Sequence, residues 1–485
     1  MPLTLRIGGK RIAVLLGLVI AVVIFAQAYA SDPLNLAGYL DFSYGTTVVS
    51  APTGEKPESK LWFHDSYWWG VLWNETASEY QIYKLDWASQ SWQSTNVAVD
   101  NRATTKADAL WDGTKLYIAS HVYAQLGKPN QASDNSARLY RFSYDTGSKT
   151  YSLDGSFPVT INSHTSENLV LDKDSTGRLW VTFVSEIPGS DPLAPQYSVY
   201  INYTTLSSDD TSWATPVALM DVTGIDTAAQ VLGEDISSLI AFADQVGVMW
   251  SNQITGDFHF AYHAAAHPSP VANWTLETLD PGSYGYKGPN DHINLAKTSD
   301  GKVFAAVKTD KNTASTDPVI MLFVRSAANT FTSHTISTFG SADTRPVVLV
   351  HEDENKVYVV YVGSESGGAI CYNSSSLASI SFSPLNCQRK AGSDAPLLIA
   401  SDTYIDINNP TSTKQNLTDA SGLVVLASDD TTAGAPLHHV YVHGVLGGSS
   451  VPTPTPSPTP SETPTETPLP SEDNMVYLPY VAKND

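Results

Sequence analysis

Apolar residues in this chain come in short alternating runs separated by turn residues, and no long stretch carries a helical stripe. In the plainest copy, beginning at Lys106, a charged residue opens a short apolar strand, an Asp112-Gly113 turn follows, and a second apolar strand starts at Leu116. Further copies begin at Glu167 and Asp291. Period-two alternation bounded by Asp, Gly and Asn is the signature of half-buried strands joined by tight turns. The densest apolar run of each copy predicts its second strand: Trp69–Trp73, Leu116–Ala119, Leu179–Phe183, Val246–Trp250, Val303–Val307, Val357–Tyr361 and Leu423–Ala427. Third strands with alternating aromatics follow, as at Tyr80–Leu85 and Tyr197–Tyr203, and Trp92, Trp213, Trp274 and Phe331 announce fourth strands.

Four-stranded units recurring at roughly 45 to 70 residues predict an all-β chain, a seven-bladed β-propeller of antiparallel sheets spanning residues 31–448. Six blades is the alternative if the last copy is only an elaboration. The seventh copy stops after its third strand, near His439–His443, while a strand-like segment at Tyr39–Tyr44 precedes the first blade. Residues 38–46 are therefore expected to close the ring as the outer strand of the blade that holds Leu423–Ala427, which leaves few open edges. A chain of 485 residues is long for one core, but blades need pack only on their neighbours. Eleven Trp and 24 Tyr suit strands.

The two ends read differently. Residues 1–30 have the form of a signal peptide: Arg6, Lys10 and Arg11, then an apolar run from Ile12 to Ala26, then Ala28-Tyr29-Ala30, with cleavage expected before Ser31. An uncleaved anchor is the alternative. Either way the remainder is expected outside the cytoplasm, extracellular or at the cell surface. Residues 449–473 are rich in Pro, Thr and Ser, and such a segment predicts a disordered, polyproline-like linker of roughly 70 Å. Residues 474–485 end the chain with a short motif around Val476–Val481.

A net charge of −22 argues against nucleic acid as a partner. Cys371 and Cys387 fall in one predicted blade, the first on its third strand and the second just past its fourth. In an oxidising compartment they predict a disulfide. No cofactor fingerprint or phosphate loop occurs. No metal is expected: two Cys without a His pair lack zinc spacing. Asp172, Asp174 and Gly177 imitate a calcium loop without its downstream Glu and read as a turn. His438, His439 and His443 alternate between faces.

A propeller gathers the openings of its inner strands around one channel. The predicted openers are Lys60, Lys106, Glu167, Asp235, Asp291, Arg345 and Lys414, with Asp108, Asn168, Glu234, His292, Asn294 and Gln415 beside them. Such a ring suits a polyhydroxylated or acidic sugar, so extracellular carbohydrate is the expected partner. Alternatively, the charges pair with one another and only line the channel.

The turns, the strand pattern and the Trp-led fourth strands resemble the sialidase-like propeller superfamily of Asp-box proteins. The best local match is Asp172–Trp180, with a weaker echo at Ser299–Phe304; the full Ser-x-Asp-x-Gly-x-Thr-Trp box is absent. Sialidases hold the substrate carboxylate with three arginines, and only Arg345 stands at a ring position here, so sialidase activity is not expected. Similar propellers include lyases and glycosidases acting on uronate-containing polysaccharides. The resemblance implies two schemes. In a lyase, Arg345 would neutralise a uronate, His292 would abstract the adjacent proton, and Tyr284 or Tyr286 would protonate the leaving oxygen. In a glycoside hydrolase, Glu167 and Asp235 would be the two carboxylates. The terminal motif resembles the Tyr-Leu-Pro-x-Val ending of secreted bacterial surface proteins, which implies cell-envelope attachment. The rival reading is a non-catalytic adhesion or scaffold protein displayed on the Pro/Thr stalk.

Overall fold

A computed structural model describes residues 38–447, apart from 49, 55, 127–133, 280–287, 311–313, 327, 341, 388–394, 401–406 and 430–438. The expected signal peptide, linker and terminal motif lie outside the described residues, as do Tyr284, Tyr286 and His438.

Seven antiparallel sheets follow one another along the chain, each running from an inner to an outer strand. Their inner strands are Leu61–His64, Thr105–Trp111, Val170–Lys173, Ser237–Phe242, Pro289–Lys297, Thr344–His351 and Ile407–Thr411, for blades 1 to 7. All seven apolar runs singled out in the sequence are second strands. They form strands because alternate side chains face the two adjoining blades, so both faces are dry: Leu116–Val122 is buried at every position. Blade 2 carries an extra hairpin strand, Thr150–Leu153, and blade 3 two short additions on its third strand. The helices among the described residues are two 3-10 turns, Leu219–Asp221 and Asp226–Ala229.

Ring closure matches the expectation from sequence. Tyr39–Ser43 pairs with Val440–Leu446 as the outer strand of blade 7. Buried contacts lock it: Asp41 Oδ2 lies 2.7 Å from His443 Nδ1, and the Tyr44 hydroxyl donates to Asp429 O at 2.8 Å. Across the seam, Trp73 N–H donates to the Tyr441 hydroxyl at 2.7 Å. An edge that would otherwise invite another chain is thereby covered.

The Asp172–Trp180 segment is a strand-to-strand turn. Asp174 Oδ1 accepts from Thr176 N at 2.9 Å and Arg178 N at 3.1 Å, and its other oxygen accepts from Trp180 Nε1 at 2.7 Å. One carboxylate thus clamps the turn and anchors the buried indole.

Two expectations need correction. Lys414 does not open the seventh inner strand: that strand is Ile407–Thr411, and Lys414 and Gln415 lie beyond its end. Cys387 precedes the fourth strand of blade 6, Leu397–Ile399, instead of following it. The expected bridge is nevertheless formed, with Cys371 and Cys387 Cα atoms 5.8 Å apart.

Candidate functional site

An inner strand has a sheet partner on one side only, so its other edge presents backbone groups to the channel that must find partners there. Here side chains of neighbouring blades supply many of them. Asp108 accepts from Ser59 N at 2.8 Å on one side and Leu171 N at 2.7 Å on the other. Asp172 accepts from Ala241 N at 2.7 Å, Asn294 from Val348 N at 3.0 Å, and Glu58 from Leu169 N at 3.0 Å. Gln415 pairs with Phe63 like a strand, accepting from its N–H at 2.8 Å and donating to its carbonyl at 3.1 Å. Asn168 donates to Ser237 O at 2.7 Å.

The interior lysines are committed in the same way. Lys60 pairs with Glu58 at 2.7 Å and donates to Ala107 O. Lys106 donates to Ala51 O, and Lys414 bonds Asp108 and Leu171 O. Burial would raise the Glu58 carboxyl, but Lys60 and His121 outweigh it and hold the group at about 2. Burial does raise Asp108, against the pull of Lys414. Lys60, Lys106, Asp108, Asn294, Lys414 and Gln415, the residues expected to meet a ligand, thus also bond to neighbouring blades or, for Lys106, to the segment before blade 1.

Asp235, one of the two carboxylates of the expected hydrolase scheme, is bonded to groups around the start of its own blade. Its side chain accepts from Leu232 N and Ser251 Oγ, both at 2.8 Å, and from Gln253 N. The residue is 1% exposed, and burial pushes its carboxyl up to about 6.

A different set gathers at the end of the ring where inner strands begin, called the mouth below. Lys56 bridges Glu167, at 3.3 Å, and Asp291, tying blades 3 and 5 together. Asp291 lies 2.9 Å from His292 Nδ1, which also meets Asn290 Oδ1. With the proton on Nδ1, His292 Nε2 accepts from the Thr344 hydroxyl at 3.3 Å. His292 is only 3% exposed, and burial drives its ring down to about 3 despite Asp291, so it is neutral at ordinary pH. Asp291 is held well below the carboxylate range because His292 and Lys56 outweigh the cost of burial.

Further round the mouth, Lys308 and Arg345 converge on Glu365: Lys308 Nζ ion-pairs with it, and Arg345 Nη1 lies 3.2 Å from Oε2. Arg345 Nε donates to Asn409 Oδ1 at 3.0 Å. Burial lowers Lys308 to about 8; Arg345 and Lys56 push the same way, against Asp291 and Asp310. Geometry joins the two groups: His292, beside Asp291, bonds Thr344, the neighbour of Arg345, and Lys308 lies on the strand paired with that of Asp291.

The backbone under this cluster is unusual. Arg345 and Asn409 occupy matching places in blades 6 and 7, each preceding a proline and each left-handed, with φ of 51° and 53°. Register slips beside both, between Thr344 and Val347 and between Asn408 and Thr411. Such conformations cost of order 1–3 kcal/mol each and concentrate at functional sites.

Of the sequence candidates, then, Glu167, Asp291, His292 and Arg345 come together. Lys56, Lys308 and Glu365 were missed. They sit before blade 1, at the end of a second strand and on the loop after a second strand. The available signal was topological: in antiparallel blades, second strands end on the face where inner strands begin.

Toward the other end, a cavity of about 320 Å³ is lined by Trp111, Asp172, Asn294, Lys297, Lys414 and Asn416, among others. Lys297 already donates to Ala241 O, and the Trp111 ring lies 4.1 Å from that of His64. On the same side His351, Asp353 and Asp419 place ligand-type atoms within 4.8 Å of one another. His351 Nδ1 accepts from Glu354 N at 3.2 Å, which leaves the ring proton on Nε2, 3.9 Å from Asp419. That neutral tautomer turns a proton, not a lone pair, toward the carboxylates, which does not suit a metal.

No protein-family model and no curated protein matches the chain. Among solved structures, an ulvan lyase bound to -[GlcA(1-4)Rha3S]-, described as a polysaccharide lyase, aligns with 84% of this chain and 96% of its own, at 10% identity and a TM-score of 0.51. A further ulvan lyase structure aligns with 85% and 96%, at 10% identity and a TM-score of 0.50. Trypanosoma rangeli sialidase in complex with the inhibitor DANA aligns with 74% of this chain and 56% of its own, at 9% identity and a TM-score of 0.40. At such identities the likeness is one of fold, and this chain is a seven-bladed β-propeller with carbohydrate-active proteins among its structural neighbours.

Proposed function

We propose that the protein recognises an acidic, uronate-containing extracellular polysaccharide at the channel mouth. The observation that carries this reading is the convergence of Lys308 and Arg345 on a single carboxylate, with Lys56 linked to them through Asp291, His292 and Thr344 and left-handed backbone at Arg345. A guanidinium and an ammonium around one point fit a sugar carboxylate, and hydrogen bonds to charged groups are the strong ones. The ulvan lyase of similar fold is bound to a GlcA-containing saccharide, which is consistent with this choice. The extracellular setting rests on the signal-like residues 1–30, and attachment to the cell envelope on residues 474–485.

The reading is one of binding. Proton abstraction by His292 has little support, because the ring is buried and both nitrogens are engaged. The pair Glu167 and Asp235 has little either: the first is ion-paired to Lys56, and the second is enclosed within its own blade.

The test is a panel of acidic and neutral polysaccharides offered to the purified protein, scored for retention and for new reducing or unsaturated ends. Retention of uronate-containing chains, weakened by salt and by Arg345→Ala, is expected. Failure to retain any acidic polysaccharide would overturn the proposal, and new unsaturated ends would replace binding by lyase activity.

A further inference from the structure

The loop that supplies Glu365 is built so that its backbone stays while its side chain can leave. Its base is closed by Gly363 N–H to Ala369 O at 3.0 Å and its tip by Gly367 N–H to Ser364 O at 3.0 Å. Gly367 has a φ of 92°, where a side chain would be strained. The carbonyl of Glu365 itself accepts from Asn408 Nδ2 at 3.1 Å and from Arg345 Nη1 at 3.4 Å. Its side chain, by contrast, is 48% exposed, whereas those of Lys308 and Arg345 are 12% and 19% exposed.

The partners therefore have unequal needs. A carboxylate in water gains little from an ion pair. Two less exposed cations that converge on one point, by contrast, attract whichever carboxylate reaches it. Any carboxylate that reaches the same point satisfies them, and Glu365 can yield it by rotating its side chain alone.

Resting on the binding reading above, we infer that Glu365 is a built-in competitor. Its carboxylate occupies the place of the ligand's uronate carboxylate and is displaced when the sugar enters. A neutral sugar offers nothing in exchange, so the competitor makes the mouth selective for carboxylated residues.

The test titrates the full-length protein, Glu365→Gln and Asp310→Asn with a glucuronate-containing oligosaccharide, a sulfated oligosaccharide without uronate, and a neutral one. Removing a state that blocks the site raises apparent affinity by the inverse of the open fraction, so Glu365→Gln is expected to bind the uronate about tenfold more tightly. Asp310→Asn removes a nearby negative charge that does not bridge the two cations, and is expected to gain much less. Should Glu365→Gln fail to fold, Glu365→Asp, too short to span both cations, is expected to show a smaller gain.

Unchanged or weaker uronate binding by the Glu365 variants, beside clear binding by wild type, overturns the competitor and leaves the binding reading standing. An equal gain in Asp310→Asn, or for the sulfated oligosaccharide, overturns it too, because general electrostatics then suffices. No binding by any form overturns both.

Discussion

Glu58 and Glu365 are both carboxylates that hold two basic partners in a ring of blades, yet they do different work. Glu58 is enclosed: it meets Lys60 and His121, each at 2.7 Å, and also accepts from the backbone of blade 3. Glu365 stands half in water on a loop, and what it touches beyond its own blade lies at the rim. Inside the channel, polar side chains are spent on the edges of neighbouring strands. At the mouth they are spent on one another. Charge at the opening of an inner strand is thus a joint of the fold at one depth and a candidate contact surface at another.

The comparison breaks most visibly in stability. Glu58→Ala strands a buried ammonium and is expected to cost about 3–5 kcal/mol in urea denaturation. Glu365→Ala is expected to cost no more than about 1 kcal/mol, in line with a solvated pair. Equal losses would erase the distinction.

A smaller effect should appear in binding. Arg345→Ala is expected to weaken a uronate-containing ligand by about 1.5–3 kcal/mol, with the denaturation midpoint little changed. Calorimetric titration checks this; a variant that unfolds early would move Arg345 into the structural class.

The smallest effect sharpens the comparison through pH. Folded Lys308 gives up its proton near 8, against an ordinary value of 10.5, because it is buried. Between those values the unfolded chain holds more protons at this site, so its contribution makes stability rise with pH. Over the same range the mouth loses a positive charge, so affinity for an acidic glycan should fall. Opposite slopes from pH 7.5 to 9.5 are expected, and Lys308→Met should flatten both. Affinity that stays level in wild type would remove Lys308 from the site.

The blades were legible because each second strand is buried on both faces and so concentrates apolar residues. Closure was legible for a related reason: seven sheets with one strand short at the end and one spare at the start have an economical solution. The polar ring was legible only as a set of positions. Asp291 and Arg345 open their inner strands with a charge, and the pattern exposed them. Blade 7 opens instead with Asn408 and Asn409, so the nearest charge, Lys414, stood in for it wrongly. The fourth strand of blade 6 is three residues long and follows a long excursion, which misplaced Cys387 relative to it. Stitching by Asp108, Asn294 and Gln415 depends on the lateral neighbour, which sequence spacing does not report. Lys56, Lys308 and Glu365 lie outside the repeated position altogether, on segments that only the assembled ring brings to the mouth.

The central claim is that the mouth binds a carboxylated sugar while the interior ring holds the blades. A crystal structure of the protein with a uronate-containing oligosaccharide tests it most directly. The account predicts the sugar carboxylate within hydrogen-bonding distance of both Lys308 and Arg345, Glu365 turned out to solvent, and Asp108, Asn294 and Gln415 still bonded to their neighbouring blades. A sugar seated instead in the cavity beside Trp111 and Lys297, with Glu365 still bridging its two cations, would contradict it.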